Sequence, residues 1–211
     1  MHSVVPGAGP SGIVAAKYML AGGEFEVSVY EQGASVGGTF VNKTYDNTTL
    51  VSSKYITLFA DLRCPPEESE HMTSVSYVEY LKRYCDKFAL WPHIQFGKSV
   101  TRVRKDEASG TFHVAHTDSA RPEVVVDEEF DYVVVCSGLH NVPKIPHFDG
   151  IEGFPGKTLH SSEYKEPSLF RGKRVLVIGS GETGACSVEF SCVRGGDKLG
   201  AVHWRAADLP S

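Results

Sequence analysis

Val4-Val5-Pro6-Gly7-Ala8-Gly9-Pro10-Ser11-Gly12, with Glu31 nineteen residues past its last glycine, decides the fold of this 211-residue chain. A short apolar strand over 3–6 enters the turn. A helical stretch over 11–20 leaves it, with Ile13, Ala16 and Leu20 on one face, and Gly22-Gly23 ends that helix. Val27 and Val29 mark a second strand, which delivers Glu31. Strand, glycine turn, helix and strand in this order form the opening unit of a dinucleotide-binding fold. Its glycines allow the tight turn, close approach to a pyrophosphate and packing of helix on strand, while the helix N-terminus faces the anion. An acid at the end of the second strand accepts hydrogen bonds from an adenosine ribose. Gly7, Ala8, Gly9, Pro10, Ser11, Gly12 and Glu31 are therefore expected to line an FAD-type site. Pro6 is the odd residue, because proline removes a ladder donor and suits only a strand end or edge.

The pattern occurs a second time, and it is the only internal repeat. Gly179-Ser180-Gly181-Glu182-Thr183-Gly184 follows a strand opening near 174–178, and Arg205 stands twenty-one residues past the last glycine. A basic residue at that place suits a 2′-phosphate. Gly179, Gly181, Thr183, Gly184 and Arg205 are thus expected to hold NADPH. An FAD-type turn and an NADPH-type turn in one chain form the layout of a flavoprotein fed by NADPH.

Between the two turns the pattern changes. Residues 74–88 carry Val78, Leu81, Cys85 and Phe88 at helical spacing, with Ser74 as the expected N-cap. Residues 99–127 alternate β-branched and polar positions, broken at Ser109-Gly110 and Arg121-Pro122, and predict a three-stranded antiparallel meander. Residues 132–136 are a continuous apolar run, expected as a parallel strand buried on both faces. The fold expected is α/β: a Rossmann-like parallel FAD-binding sheet over 1–145 with an inserted meander, a linker over 146–172, and the first βαβ unit of an NADPH-binding domain over 173–211.

Composition narrows the function classes. Twenty-one basic against 26 acidic residues give a net charge of −5, which favours neither nucleic acid nor an anionic membrane. No apolar run is long enough to span a bilayer, and with a strand expected almost from the first residue no signal peptide is expected. Five cysteines without CxxC or paired spacing argue against a disulfide framework or a metal site, and fit a cytoplasmic setting.

Phe154-Pro155-Gly156-Lys157-Thr158-Leu159-His160-Ser161-Ser162-Glu163-Tyr164-Lys165 has the form FxGxxxHSxxYK and lies just before the second glycine turn. This string is similar to the identifying motif of the flavin-containing monooxygenases. Other segments resemble the same family, in its dimethylaniline monooxygenase-like, fungal form. Gly37-Gly38-Thr39-Phe40 resembles its turn near the flavin, and Ser52-Ser53-Lys54 the segment leading to the flavin face. Val135-Cys136-Ser137-Gly138, followed by Pro143 and Pro146, resembles its interdomain hinge. The resemblance adds Gly38, Thr39, Phe40, Ser52, Ser137, Gly138 and His160 to the expected cofactor-binding residues, with His160 organising NADP rather than moving a proton. Tyr164-Lys165 argues against the Baeyer–Villiger relatives, whose related motif ends in tryptophan.

The activity implied is transfer of hydride from NADPH to FAD, oxygen addition to give a C4a-hydroperoxyflavin, and oxygenation of a soft nitrogen or sulfur nucleophile. The flavin carries that chemistry and the protein supplies binding and exclusion of water, so no side-chain catalyst is assigned. Departures from the family's pattern are Val51, where an asparagine is usual near the oxygen-reacting edge, and Cys186, where an aspartate is usual. Family chains are also considerably longer. A truncated form is therefore expected, one that does not oxygenate substrate by itself, retains FAD weakly and self-associates through exposed apolar surface. The rival readings are an inactive nucleotide-binding fragment and another two-dinucleotide flavoprotein reductase. A reductase using a protein dithiol would need neighbouring cysteines, which this sequence lacks.

Overall fold

The computed structural model describes residues 1–46, 48–139, 141–179, 181 and 200–202. They divide into two compact units, residues 1–44 with 52–142, and residues 45–51 with those from 143 onward.

The first unit is built on β1 (His2–Pro6), whose Val4 and Val5 are fully buried. It pairs in parallel with β2 (Glu26–Glu31) on one side and β7 (Tyr132–Val133) on the other, and β3 (Ile94–Phe96) extends the sheet beyond β2. Helix α1 (Pro10–Ala21) starts one residue earlier than its periodicity suggests. Proline is favoured in the first helical turn, where its missing N–H would have no partner. Gly22 caps its other end.

Pro6 closes β1 rather than interrupting it. Its carbonyl accepts the Cys136 N–H at 3.0 Å, and Gly7 donates to the Tyr30 carbonyl at 2.8 Å. Proline's missing N–H falls on the β7 side, so the ladder there keeps only one of its two bonds at this step.

Residues 132–136 differ from the expected doubly buried strand. Val135, just past β7, is 69% exposed, and among the described residues β7 is an edge strand paired with β1 alone.

The antiparallel meander is present as β4 (Lys98–Lys105), β5 (Phe112–Asp118) and β6 (Arg121–Phe130), in that order. It joins the parallel sheet through a core of Val4, Tyr30, Val114 and Phe130. At its edge lies a part-buried polar cluster. The Tyr30 hydroxyl donates to the Glu128 carboxylate, His116 Nε2 lies 3.1 Å from the same oxygen, and Lys98 sits over the Tyr30 ring.

The unit also contains α2 (Thr39–Asn42), α3 (Lys54–Thr57) and α4 (Ser74–Lys87). The N-cap of α4 is Thr73, not Ser74. The Thr73 hydroxyl accepts the Ser76 N–H at 3.0 Å, and Ser74 is the first helical residue and is buried. The inward face of α4 carries Tyr77, Tyr80, Leu81 and Tyr84. The Tyr80 hydroxyl accepts the Phe59 N–H and donates to the Leu62 carbonyl, both at 2.9 Å, and so fixes the intervening loop.

In the second unit, β8 (Leu176–Ile178) pairs in parallel with β9 (Gly200–Val202). Residues 45–51 belong to this unit although they lie far from it in sequence. The Asp46 N–H donates to the Lys165 carbonyl at 2.9 Å, and the Tyr45 ring lies against that of Tyr164.

Candidate nucleotide-binding site

The first glycine turn is a packed object, and each glycine answers a different demand. Gly7 has φ +106°, and a Cβ there would lie 2.4 Å from the Cys136 carbonyl oxygen. A Cβ at Gly12 would lie 1.8 Å from the Gly7 carbonyl oxygen, so α1 can approach β1 only without a side chain at that position. Gly9 is different. Its φ is an ordinary −73°, and among the described residues a Cβ would meet only the Gly38 Cα, at 3.9 Å. Neither backbone strain nor packing demands glycine at Gly9. What the missing side chain leaves is open space at the N-terminus of α1.

That helix end fits an anion. Gly9 offers no side-chain cap, the first turn holds no acidic residue, and Ser11 is exposed. First-turn N–H groups without internal partners, together with the helix dipole, favour a phosphate at such a place.

A second glycine turn, Gly37-Gly38, closes on the first. The Gly37 N–H donates to the Ala8 carbonyl at 3.0 Å, and a Cβ on Gly38 would lie 3.2 Å from the Gly9 Cα. Gly37 itself lies on α4, where an added Cβ would come within 3.1 Å of Val78. Thr39 and Phe40 follow as the start of α2, with Thr39 exposed and Phe40 edge-on to the Tyr77 ring.

Glu31 ends β2 beneath the turn and is buried, with its carboxylate on the N–H groups of Ala8 and Gly33. Glu31 stands out in the sequence, whereas Gly33 does not. The signal was present in the Glu-x-Gly spacing, since a Cβ on Gly33 would lie 3.1 Å from Glu31 Oε1.

Ser137 and Gly138 lie past the β7 ladder, both exposed, with their carbonyls within reach of the Asn141 side-chain amide. Cys136, just before them, has its thiol pushed up by burial, so it stays protonated rather than acting as a thiolate. Cys64, Cys85 and Cys136 are free.

Ser52 is exposed, 2.6 Å from the Thr57 hydroxyl. Its neighbour Lys54 is a second residue whose role the sequence did not reveal. Its ammonium group is buried and donates to the carbonyls of Pro65, Pro66 and Glu68, which clamps that loop. A buried cation requires such partners.

In the second unit, His160 is the N-cap of a short 3₁₀ turn, Ser161–Glu163. Its Nδ1 accepts the Ser162 N–H at 3.2 Å, and the Glu163 carboxylate accepts the His160 N–H. Tyr164 then packs between Tyr45 and Phe170, where burial pushes its hydroxyl up. Gly179 has φ +128° and is exposed, as is Gly181. Thr183, Gly184 and Arg205 lie outside the described residues.

The chain is similar to known proteins over nearly its whole length. A family described as flavin-binding monooxygenase-like matches residues 2–195. Monooxygenase ptmN of Penicillium ochrochloron is 39% identical over 213 residues, covering 97% of this chain and 34% of the relative. Human flavin-containing monooxygenase 2 is 34% identical, covering 89% of this chain and 37% of the relative. Among solved structures, that of OTEMO in complex with FAD and NADP superposes with a TM-score of 0.71 at 26% identity, covering 95% of this chain and 38% of that one. The chain spans about a third of the length of these curated relatives. With a family match across nearly its whole length and a fold of parallel sheet and antiparallel meander to carry it, the chain belongs to the flavin-binding monooxygenase-like family.

Proposed function

We propose that this chain binds FAD at its first glycine turn and NADPH at its second, as the nucleotide-binding part of a monooxygenase acting on a soft nitrogen or sulfur nucleophile with O₂. Gly7, Gly9 and Gly12 surround the FAD pyrophosphate, and Glu31 lies beside the adenosine ribose. Gly38, Thr39, Phe40, Ser52, Ser137 and Gly138 border the flavin side. Gly179, Gly181, Thr183 and Gly184 receive the NADPH pyrophosphate, Arg205 reads the 2′-phosphate, and His160 holds the motif that organises NADP. In this reading residues 1–145 are the FAD-binding domain, 146–172 the linker and 173–211 the start of the NADPH domain. When bound, the flavin supplies hydride acceptance and oxygen activation, while the chain binds, orients and excludes water.

The observation that supports this most directly is Gly9, a glycine that neither φ nor internal packing requires, set at a helix N-terminus lacking a side-chain cap. The free cysteines support a reducing, cytoplasmic setting. Among the described residues, no helix is long and apolar enough to cross a membrane. Exposed Val135, Leu139 and Val142 in the first unit support self-association of the chain.

Titration of the purified chain with FAD, followed by anaerobic addition of NADPH, tests the reading. A yellow complex bleached by NADPH is expected. Glu31→Ala should weaken FAD by about 1–3 kcal/mol, since it strands polar groups in a buried place. Equal FAD affinity in wild type and variant would remove the first site. For the second site, Arg205→Ala should abolish a preference for NADPH over NADH. An unchanged preference would assign the 2′-phosphate to another residue.

A further inference from the structure

Glu31 does more than wait for a ligand. Its Oε2 accepts the Ala8 N–H at 2.8 Å and its Oε1 accepts the Gly33 N–H at 2.7 Å, and the residue is only 4% exposed. The Ala8 carbonyl, on the other side of the same residue, accepts the Gly37 N–H. Ala8 is therefore held from below by the end of β2 and from the side by the second glycine turn. Gly33 is shaped for the arrangement, because the chain returns so closely under the carboxylate that a Cβ would lie 3.1 Å from Oε1.

A turn with glycines at 7, 9 and 12 has unusual conformational freedom, and fixing it on binding would cost affinity. Charge-assisted bonds from a buried carboxylate to a backbone N–H are among the stronger ways to fix a peptide.

We infer that Glu31 is a positioning residue: it fixes the Ala8 peptide, and with it the aim of the phosphate-binding turn, before nucleotide arrives and independently of any contact with the ribose. The ligand named here rests on the nucleotide-binding reading above; the brace itself does not.

Glutamine is the informative replacement. It keeps the shape but presents an NH₂ group to one of the two N–H donors, so one bond must fail. The full 211-residue chain is compared as wild type, Glu31→Gln and Gly33→Ala. Amide hydrogen exchange is followed without ligand, and ADP and 2′-deoxy-ADP are titrated by calorimetry.

Glu31→Gln is expected to speed exchange at Ala8 or Gly33 by roughly tenfold or more, and to weaken ADP and 2′-deoxy-ADP by the same factor. Gly33→Ala retains the carboxylate but displaces it, and is expected to give the same exchange signature at Ala8. It serves also if Glu31→Gln fails to fold. Unchanged Ala8 and Gly33 exchange in both variants would overturn the inference. So would a loss confined to ADP, which would make Glu31 a ribose reader alone. Amides sensitive to residue 31 in a chain that binds neither nucleotide would uphold the brace while removing the nucleotide-site reading.

Discussion

The turns that begin at Gly7 and Gly179 share a glycine spacing but not a setting. β1 is paired on both sides, with Val4 and Val5 fully buried, and the first turn is wedged against Cys136, Gly38 and the start of α1. β8 is paired with β9 alone among the described residues, and its Leu176 and Ile178 are 58% and 46% exposed. A Cβ on Gly7 or Gly12 strikes backbone, whereas one on Gly179 meets nothing within 4 Å among the described residues. The same motif thus carries two kinds of requirement. At Gly7 glycine is demanded by packing and backbone angle together, and at Gly12 by packing; at Gly179 the described structure demands it by angle alone.

The largest effect should come from Gly12→Ala. A Cβ 1.8 Å from the Gly7 carbonyl oxygen cannot be relieved by a side-chain rotation, because the obstacle is backbone. A loss of more than about 4 kcal/mol, or outright failure to fold, is expected in urea denaturation. A small loss would mean that α1 can slide along β1, and the contrast between the turns would fail.

Next come Gly7→Ala and Gly179→Ala, compared by the same measurement. Both residues occupy left-handed backbone that an L side chain adopts at a cost of about 1–3 kcal/mol. Only Gly7 adds an overlap with the Cys136 carbonyl, so its variant should lose distinctly more. Equal losses would reduce the comparison to backbone angle.

The third test concerns a support found beneath the first turn. The Tyr30 carbonyl holds the Gly7 N–H, while its hydroxyl is anchored to Glu128 in the meander. Burial works to raise the Glu128 carboxyl, but the Tyr30 hydroxyl, Lys98 and His116 outweigh it and hold the group below its ordinary value of 4.5. With the folded-state value depressed, the unfolded chain binds more protons in the window between the two values. The Glu128 contribution is therefore present in full above 4.5 and is lost as pH falls through the lowered value. Glu128→Gln should flatten that part of the stability–pH profile, and Tyr30→Phe should cost about 1 kcal/mol at neutral pH. A profile unchanged by Glu128→Gln would show that the cluster does not bear on folding.

The smallest effect is expected at Thr73→Ala. Loss of the N-cap of α4 should cost about 1 kcal/mol in the same denaturation. ADP affinity should stay level, because α4 meets the Gly37 turn through Val78 and, past it, Phe40 through Tyr77, both away from the helix N-terminus that Thr73 caps. A fall in affinity beyond the loss of stability would extend the site into that helix.

Much of this was legible in the residues themselves. The glycine spacing, the apolar strand before it and the period of α1 are read within a few positions, and the meander announced itself by alternation between turn residues. The FxGxxxHSxxYK string carried the family. Less was legible where a residue's role depends on what arrives from far along the chain. Thr73 and Ser74 are both competent N-caps by chemistry, and only the path of the backbone selected Thr73. The apolar run 132–136 has the composition of a strand covered on both faces, yet among the described residues nothing packs over Val135 closely enough to bury it.

By itself the sequence determined the local units, because strand, turn and helix are set by side-chain periodicity and by the few residues that tolerate special backbone angles. Only the tertiary structure decided which of those units touch. It put Gly38 against Gly9, residues 45–51 with 164–165, and the Glu31 carboxylate on the N–H groups of Ala8 and Gly33. These contacts form when distant segments close on one another. Closure is governed by the summed burial of apolar surface and the need to pair every buried polar group, and neither is written at any single position.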